Sequence, residues 1–221
     1  MNPMSGACEN AFAGNGVRAA WTLPPAHSMF AFLKSGQVRQ EKVPQTQPKA
    51  TVAVGPKWTL EFVRDVSGWE LPQRRNDVDL GDWTALGERE AEFSGTARYS
   101  TKLQKPNQKP EAKNQKLILD LGEVCNSARI TVNGTCAGTL FMHPYRLEIP
   151  AGLLKDGENT LEIEVTNLGA NRIRALDRKG VEWKNFEDIN MVGIDYEPLD
   201  ASGWPIQPSG LIGPVKIELW D

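Results

Sequence analysis

The chain has 221 residues, a formal net charge of −3 and a pI near 5.6, so it lacks the excess of basic residues that nucleic-acid binding requires. Charged residues make up 24% of the sequence, and no apolar run approaches the roughly 18 residues that a membrane-spanning helix needs. No basic region followed by an apolar stretch stands in the first 16 residues, so no signal peptide is visible. We therefore expect neither a nucleic-acid partner nor a membrane partner.

The first part of the chain is irregular. Residues 1–16 are small and polar and are predicted to be a disordered tail. Residues 17–56 are predicted to form a short N-terminal β segment and a proline-rich connector, with one edge strand between residues 43 and 56. The apolar faces of this segment favour its packing along the main domain as an added edge strand over a loose attachment. We place the main domain at residues 57–221.

From residue 57 the pattern is consistently that of β-structure. Apolar residues recur at every second position in segments near residues 58–63, 97–103, 117–121, 161–165 and 215–219, and each alternation can bury one face of a sheet. Turn residues separate these segments, and no segment shows a sustained helical period. Several short strands at this spacing predict an all-β fold in which two sheets form a sandwich.

One stretch, "ARITVNGTCAGTL", predicts a β-hairpin, because Asn133-Gly134 suits a two-residue type I′ turn. Counting outward from this turn places Cys136 opposite Thr131, so a disulfide between Cys125 and Cys136 is not expected. Buried free thiols are the prediction for these cysteines and for Cys8. The sequence "NGT" is also a formal glycosylation acceptor, but the turn already explains its presence.

Two long irregular stretches are the expected location of function, because loops of this length usually bind or cover something. They span residues 67–87 and 167–213 and carry four tryptophans: Trp69, Trp83, Trp183 and Trp204. A sugar ring stacks on an indole while amide and guanidinium groups bind its hydroxyls. The candidate sugar-binding residues are therefore Trp69, Trp83, Trp183, Trp204, Arg98, Asn171 and Arg172. In the alternative interpretation, the loop tryptophans close the end of the core or form an interface.

No specific catalytic motif is present: the sequence has no phosphate loop, no HExxH, no GxSxG and no paired CxxC. Cys136 and His143 could in principle form a nucleophile pair. They lie on or beside consecutive strands, however, so their expected proximity is no evidence of catalysis, and this pair is disfavoured. Several carboxylates follow Val181, and they are interpreted as solvated loop charges: Glu182, Glu187, Asp188, Asp195, Glu197 and Asp200. No cofactor is expected, and a structural calcium ion is the minor alternative.

Three stretches together carry a family resemblance: residues 83–103, 117–173 and 208–220. Their motifs are F-S-G-x-A-x-Y, A-x-I-x-V-N-G, L-x-I-x-V-x-N and S-G-L-x-G-P-V. This combination resembles the galactose-binding-like jelly-roll domain of glycoside hydrolases. It is most similar to the C-terminal domain of the family 106 α-L-rhamnosidase-type enzymes and to the sugar-binding domain of family 2.

The resemblance implies a jelly-roll β-sandwich and a carbohydrate context. It also implies that the loop beginning at Asn167 reaches toward an active site, which adds Asn167 to the candidate sugar-binding residues. The catalytic barrel of these families is absent from the chain, so the chain alone is not expected to hydrolyse glycosides. The implied partners are a plant-type oligosaccharide or polysaccharide and a glycoside hydrolase catalytic chain. The family context is periplasmic or extracellular.

Two other functions remain open. In the first, the domain docks a catalytic partner and has no sugar affinity of its own, and its loop tryptophans anchor that interface. In the second, the chain is a hydrolase that uses its loop carboxylates, which would require two carboxyl groups roughly 5–10 Å apart across a sugar.

Overall fold

The computed structural model describes residues 47–65, 68–106, 116–150, 152–184, 194 and 196–220. The predictions made for residues 1–16, and for most of the N-terminal segment that follows, lie outside these ranges. The division of the chain at residue 56 stays a prediction.

The prediction of an all-β sandwich is confirmed. The strands pair into one six-stranded, one four-stranded and one two-stranded antiparallel sheet. In chain order the strands are β1 (Ala50–Ala53), β2 (Trp58–Asp65), β3 (Arg75–Val78), β4 (Gly95–Gln104), β5 (Lys116–Asp120), β6 (Glu123–Cys125), β7 (Ser127–Val132), β8 (Thr135–Leu140), β9 (Arg146–Glu148), β10 (Glu158–Thr166), β11 (Gly210–Gly213) and β12 (Lys216–Trp220).

The six-stranded sheet has the order β3–β2–β4–β10–β7–β8, and the four-stranded sheet has the order β1–β12–β5–β9. The two-stranded sheet pairs β11 with β6. β10 lies inside the larger sheet between β4 and β7, and its alternate residues Leu161, Ile163 and Val165 are completely buried. The period-two pattern therefore identified the core-facing side chains correctly.

The edge strand expected between residues 43 and 56 is present. β1 pairs antiparallel with β12, with Val52 opposite Ile217, and it forms one edge of the four-stranded sheet. All four residues of β1 are exposed, whereas Ile217 on the neighbouring strand is buried in the core. Within the described residues, the four-stranded sheet therefore ends at β1.

Short helices interrupt the strands, although no segment of the sequence shows a sustained helical period. After the 3-10 helix Trp83–Leu86 comes the short helix α1 (Glu88–Ala91), and α2 (Ala170–Arg178) follows β10. The buried residues of α2 include Asn171 and Arg172 beside Ala175 and Leu176. The helix has only nine residues and half of its buried face is polar, so the sequence lacks a long run of apolar residues at helical spacing.

The predicted hairpin is confirmed. Asn133 and Gly134 both have positive φ, and Cys136 lies opposite Thr131. Cys125 and Cys136 are free thiols, as expected, but the prediction of burial was wrong: Cys136 is exposed and Cys125 is half-buried. Cys136 is exposed because β8 is an edge strand of its sheet. Cys8 lies outside the described residues.

The turn residue Asn133 does more than allow the chain to reverse. Its Nδ2 donates to the Leu153 carbonyl and to Asn159 Oδ1, both at 2.8 Å, and its Oδ1 accepts from the Thr160 amide at 3.0 Å. Asn159 is buried, and its own Nδ2 donates to the Lys155 carbonyl at 3.0 Å. Two asparagines thus join the hairpin tip to the start of β10.

We predict that Asn159→Ala lowers the free energy of unfolding by about 2–4 kcal/mol, because it leaves several buried polar groups without partners. Urea denaturation followed by circular dichroism measures this change. The matched control is Asn76→Ala, since Asn76 is exposed on β3. Equal stability losses in the two variants would contradict the structural role of Asn159.

Candidate functional site

Several strands begin or end at one end of the sandwich, which we call the loop end. β2 ends at Asp65 opposite Gly95, the first residue of β4, and β10 ends at Thr166 opposite the neighbouring Thr96. A Cβ at Gly95 would lie 1.9 Å from the Arg64 carbonyl oxygen, so only glycine permits this close approach. The polypeptide that follows β10 runs directly into α2.

Asn167 ties the connections of the loop end together. Its Oδ1 accepts from the Gly95 amide at 2.9 Å, and its Nδ2 donates to the Phe93 carbonyl at 2.9 Å and to Ser209 Oγ at 3.0 Å. These contacts join the segments before β4, after β10 and before β11. The side-chain amide of Asn167 is therefore already engaged within the protein.

Asn171 is buried in the same network. Its Nδ2 donates to the Gln207 carbonyl at 2.8 Å, and its Oδ1 accepts from the Gln207 amide at 2.7 Å. The neighbouring Ser209 is also buried, and its amide donates to Asp82 Oδ1 at 3.0 Å. Asp82 also accepts from the Thr84 amide at 2.9 Å and thereby caps the 3-10 helix.

Trp83 belongs to the core. Its side chain is 1% exposed, and its ring packs edge-to-face against Phe62 and Phe93 at centroid distances of 5.6 and 5.7 Å. This position agrees with the alternative in which a loop tryptophan closes the end of the core. The indole presents no open face on which a sugar could stack.

Arg172 lies next to Asn171 on α2, and its side chain is 6% exposed. Its Nη2 pairs with Asp65 Oδ2, and its Cζ lies 3.7 Å from the ring centroid of Trp69. Burial lowers the pKa of this guanidinium, and the Asp65 carboxylate opposes that effect. Lys179, one residue past α2, lies 4.9 Å from the same indole and pairs with Glu92.

Arg98 lies apart from these residues. It faces outward from β4, three residues after Gly95, and its Nη2 donates to Glu164 Oε1 at 2.8 Å. Its Nη1 lies 3.6 Å from Glu61 Oε2. Glu61 and Glu164 are its cross-strand neighbours on either side, so the three side chains form a row of alternating charge across the sheet.

Trp183 lines an open depression of about 440 Å³ beyond the end of α2. The indole Nε1 donates to Asp177 Oδ1 at 2.6 Å, while Asp177 Oδ2 accepts from the Ala201 amide at 2.7 Å. Lys184 Nζ lies 5.6 Å from the Trp183 ring centroid and donates to the Leu199 carbonyl at 2.5 Å. The lining also includes Glu182, Asp200 and Ser202. The depression thus combines an aromatic ring with charged and hydroxyl groups.

Trp204 is exposed near this depression. Its carbonyl accepts from Arg174 Nε at 2.7 Å, and its amide donates to the Ala201 carbonyl at 3.0 Å. The structure therefore brings Trp83, Asn167, Asn171 and Arg172 together at the loop end, whereas Trp183 and Trp204 lie beyond α2 and Arg98 lies on the sheet.

The other catalytic and metal-binding candidates offer little support for a site. His143 packs edge-to-face against Tyr145, with a distance of 4.7 Å between the ring centroids. Across the described ranges, no three His, Cys, Asp or Glu side chains come together in a way that could hold a metal ion. No helix in that same part of the chain is long and apolar enough to span a membrane. Glu187, Asp188 and Asp195 lie outside the described residues.

Sequence reasoning did not include several residues that organise this region: Asp65, Asp82, Asp177 and Ser209. One of them had a readable signal, because Asp82-Trp83-Thr84 has the pattern of an aspartate that caps the following turn. The others act over sequence separations that no local pattern reveals: Asp65 and Arg172, for example, are 107 residues apart.

No protein-family model matches the chain. A protein of Formosa agariphila described as "Putative beta-glucuronidase" is 32% identical over 222 residues, which include 93% of this chain and 18% of that protein. The solved structure of a rhamnosidase from Novosphingobium sp. PP1Y superposes with a TM-score of 0.61 at 28% identity, over 84% of this chain and 16% of that chain. The chain thus spans less than a fifth of each.

A β-glucuronidase of Bifidobacterium dentium superposes with a TM-score of 0.51 at 15% identity, over 80% of this chain and 31% of that chain. This likeness concerns the fold alone. The chain is thus similar in sequence and fold to one part of the larger rhamnosidase chain and of the protein described as a putative β-glucuronidase.

We predict that Asn167→Ala lowers the free energy of unfolding by about 2–3 kcal/mol, because the Gly95 amide, the Phe93 carbonyl and the Ser209 hydroxyl all lose a partner. Thermal and urea unfolding measure the loss. Gln104→Ala is the control, since Gln104 is exposed at the opposite end of β4. If Asn167→Ala were as stable as the control, the network would not hold the loop end together.

Proposed function

We propose that this chain is a non-catalytic accessory domain of a glycoside hydrolase related to the α-L-rhamnosidases, and that it contacts carbohydrate. One observation carries the proposal: nearly the whole chain aligns with 18% of the Formosa protein and superposes on 16% of the rhamnosidase. A match of this kind is expected for one domain of a multidomain enzyme. The galactose-binding-like motifs and the plant-type polysaccharide context fit the same role.

The depression beside Trp183 is the open region of the described structure that best suits a sugar. The indole is hydrogen-bonded to Asp177, so this side chain loses less conformational freedom when a ligand binds than a free one would. Lys184, Asp200 and Ser202 surround the ring with donors and acceptors. Hydrogen bonds from Ser202 lower the pKa of Asp200, so this carboxylate is an acceptor at neutral pH.

We predict a saturable change in tryptophan fluorescence when the chain is titrated with rhamnose- or galactose-containing oligosaccharides, and at least a tenfold weaker response for Trp183→Ala. Trp220→Phe, on the four-stranded sheet, controls for loss of an indole. No turnover of nitrophenyl rhamnoside or glucuronide is expected, because this domain lacks a catalytic barrel. A flat titration of the folded protein would overturn independent sugar binding, and turnover would overturn the non-catalytic role.

A second function, docking of a catalytic chain without sugar affinity, is favoured by the apolar side chains exposed at the loop end. Leu168, directly after Asn167, is 54% exposed, and Phe141, directly after β8, is 63% exposed. β8 ends opposite the first residues of β7, which in turn pair with the end of β10, so both side chains lie at the same end of the sheet. Exposed apolar residues in this arrangement suit an interface.

Docking predicts that the isolated chain self-associates at high concentration and that Leu168→Ser reduces this association. Sedimentation velocity measures the change, and Val52→Ser on β1 is a control of similar exposure. A chain that stays monomeric at millimolar concentration would argue against the docking function.

A further inference from the structure

One largely buried carboxylate joins the two walls of the Trp183 depression. Asp177 lies in the last turn of α2, and its side chain is 10% exposed. Its Oδ1 accepts from the Trp183 indole, on the segment after α2, at 2.6 Å, and its Oδ2 accepts from the Ala201 amide, on the segment before β11, at 2.7 Å. Both walls are therefore attached to the same side chain before a ligand binds.

The lining of the depression is partly apolar and partly polar. It comes mainly from the two segments that Asp177 joins, residues 180–184 and residues 198–202. Val181, which is 44% exposed, lies beside Trp183 in this lining. The volume of about 440 Å³ lies within the range of roughly 300–1,000 Å³ that is typical of small-molecule sites. A ligand with both an apolar face and polar groups suits such a lining.

Most of the donor groups in this lining are already used within the protein. Trp183 Nε1 donates to Asp177, and Lys184 Nζ donates to the Leu199 carbonyl and lies 4.0 Å from Asp177 Oδ1. The Ser202 amide donates to Asp200 Oδ1 at 2.8 Å, and the Ser202 side chain is hydrogen-bonded to the same carboxylate. The lining therefore has few donors left for a ligand.

Acceptor oxygen atoms, by contrast, remain available. Asp200 is exposed, and an ionised carboxylate has about four lone-pair positions, of which the hydrogen bonds from Ser202 account for two. Glu182 is also exposed and has no hydrogen-bond or ion-pair partner in the part of the chain that the structure describes. A ligand that supplies donors, such as sugar hydroxyl groups, matches these acceptors.

The same carboxylates oppose an anionic ligand. A uronate would bring a negative charge next to Asp200 and Glu182, and like charges placed together select against a ligand. Lys184 is the basic residue of the lining, and its ammonium group already contacts Asp177 and the Leu199 carbonyl. The sequence of residues 185–195 contains three acidic residues and no basic one, so any charge from that stretch is also negative.

We infer that the Trp183 depression binds a neutral sugar ring whose hydroxyl groups donate to Asp200 while its C–H face packs against Trp183 and Val181, and that it discriminates against uronates. This inference rests on the carbohydrate role proposed above. It deepens that role by naming the ligand class and by identifying Asp200 as a residue that determines specificity.

The test is an NMR titration of the indole Nε1–H resonances of the folded chain with L-rhamnose, D-galactose and D-galacturonate. Galactose and galacturonate differ only at C6, where a hydroxymethyl group is replaced by a carboxylate. The Trp183 resonance is identified by its loss in Trp183→Phe. We expect saturable shifts of this resonance with the two neutral sugars and at least fivefold weaker binding of galacturonate.

Asp200→Asn is the specificity variant, because it keeps an oxygen atom for the Ser202 amide but loses the negative charge and one acceptor. It should weaken galactose binding at least threefold and bring the ratio of galactose to galacturonate affinity close to one. A merely structural defect would weaken both sugars and leave their ratio unchanged. Asp156→Asn is the matched control, since the Asp156 side chain is 98% exposed before β10, and it should keep the wild-type ratio.

The possible failures are distinguishable. If neutral sugars shift other indole resonances but never that of Trp183, the inference is wrong and the carbohydrate role stands. If galacturonate binds as tightly as galactose, or if Asp200→Asn keeps the wild-type ratio, the ligand class is wrong. If no sugar shifts any indole resonance of the folded chain, independent sugar binding and this inference both fail.

Discussion

The architecture depends on fixing both ends of one strand. β10 lies within the six-stranded sheet, and an asparagine side chain holds the chain at each end: Asn159 at its start and Asn167 just beyond its last residue. Each asparagine satisfies backbone groups of segments that are distant in sequence. The hydrophobic core supplies the driving force for folding, but it is not directional. The amide groups therefore determine where the irregular connections attach to the sandwich.

The fold could be predicted because it follows from local patterns. Alternation such as that of Leu161, Ile163 and Val165 identified the buried faces, and Asn133-Gly134 identified the hairpin together with its register. Helix α2 was harder to find, because it has only nine residues and because Asn171 and Arg172 occupy half of its buried face. A helix this short offers few positions from which a helical period can be recognised.

The candidate site was predictable only in its composition. The sequence indicated which side chains suit a sugar, but it did not show which of them are buried in the core or hydrogen-bonded within the protein. Trp83 packs against two phenylalanines, and the amides of Asn167 and Asn171 are engaged within the protein. By contrast, the Trp183 depression is open. Whether a polar side chain already makes all its hydrogen bonds within the protein depends on the three-dimensional structure. This property distinguishes polar residues with a structural role from those that can still bind a ligand.

The hairpin tip carries a consequence for chemical modification of the chain. The tripeptide Asn133–Thr135 can be recognised by a glycosylating enzyme only while its amide is accessible. In the folded domain, Nδ2 of Asn133 faces the Leu153 carbonyl and Asn159, so a glycan attached there would remove one donor hydrogen and occupy the space of these partners. A glycan at Asn133 is therefore incompatible with the closed hairpin, so the fold itself excludes modification at a tripeptide that matches the acceptor pattern.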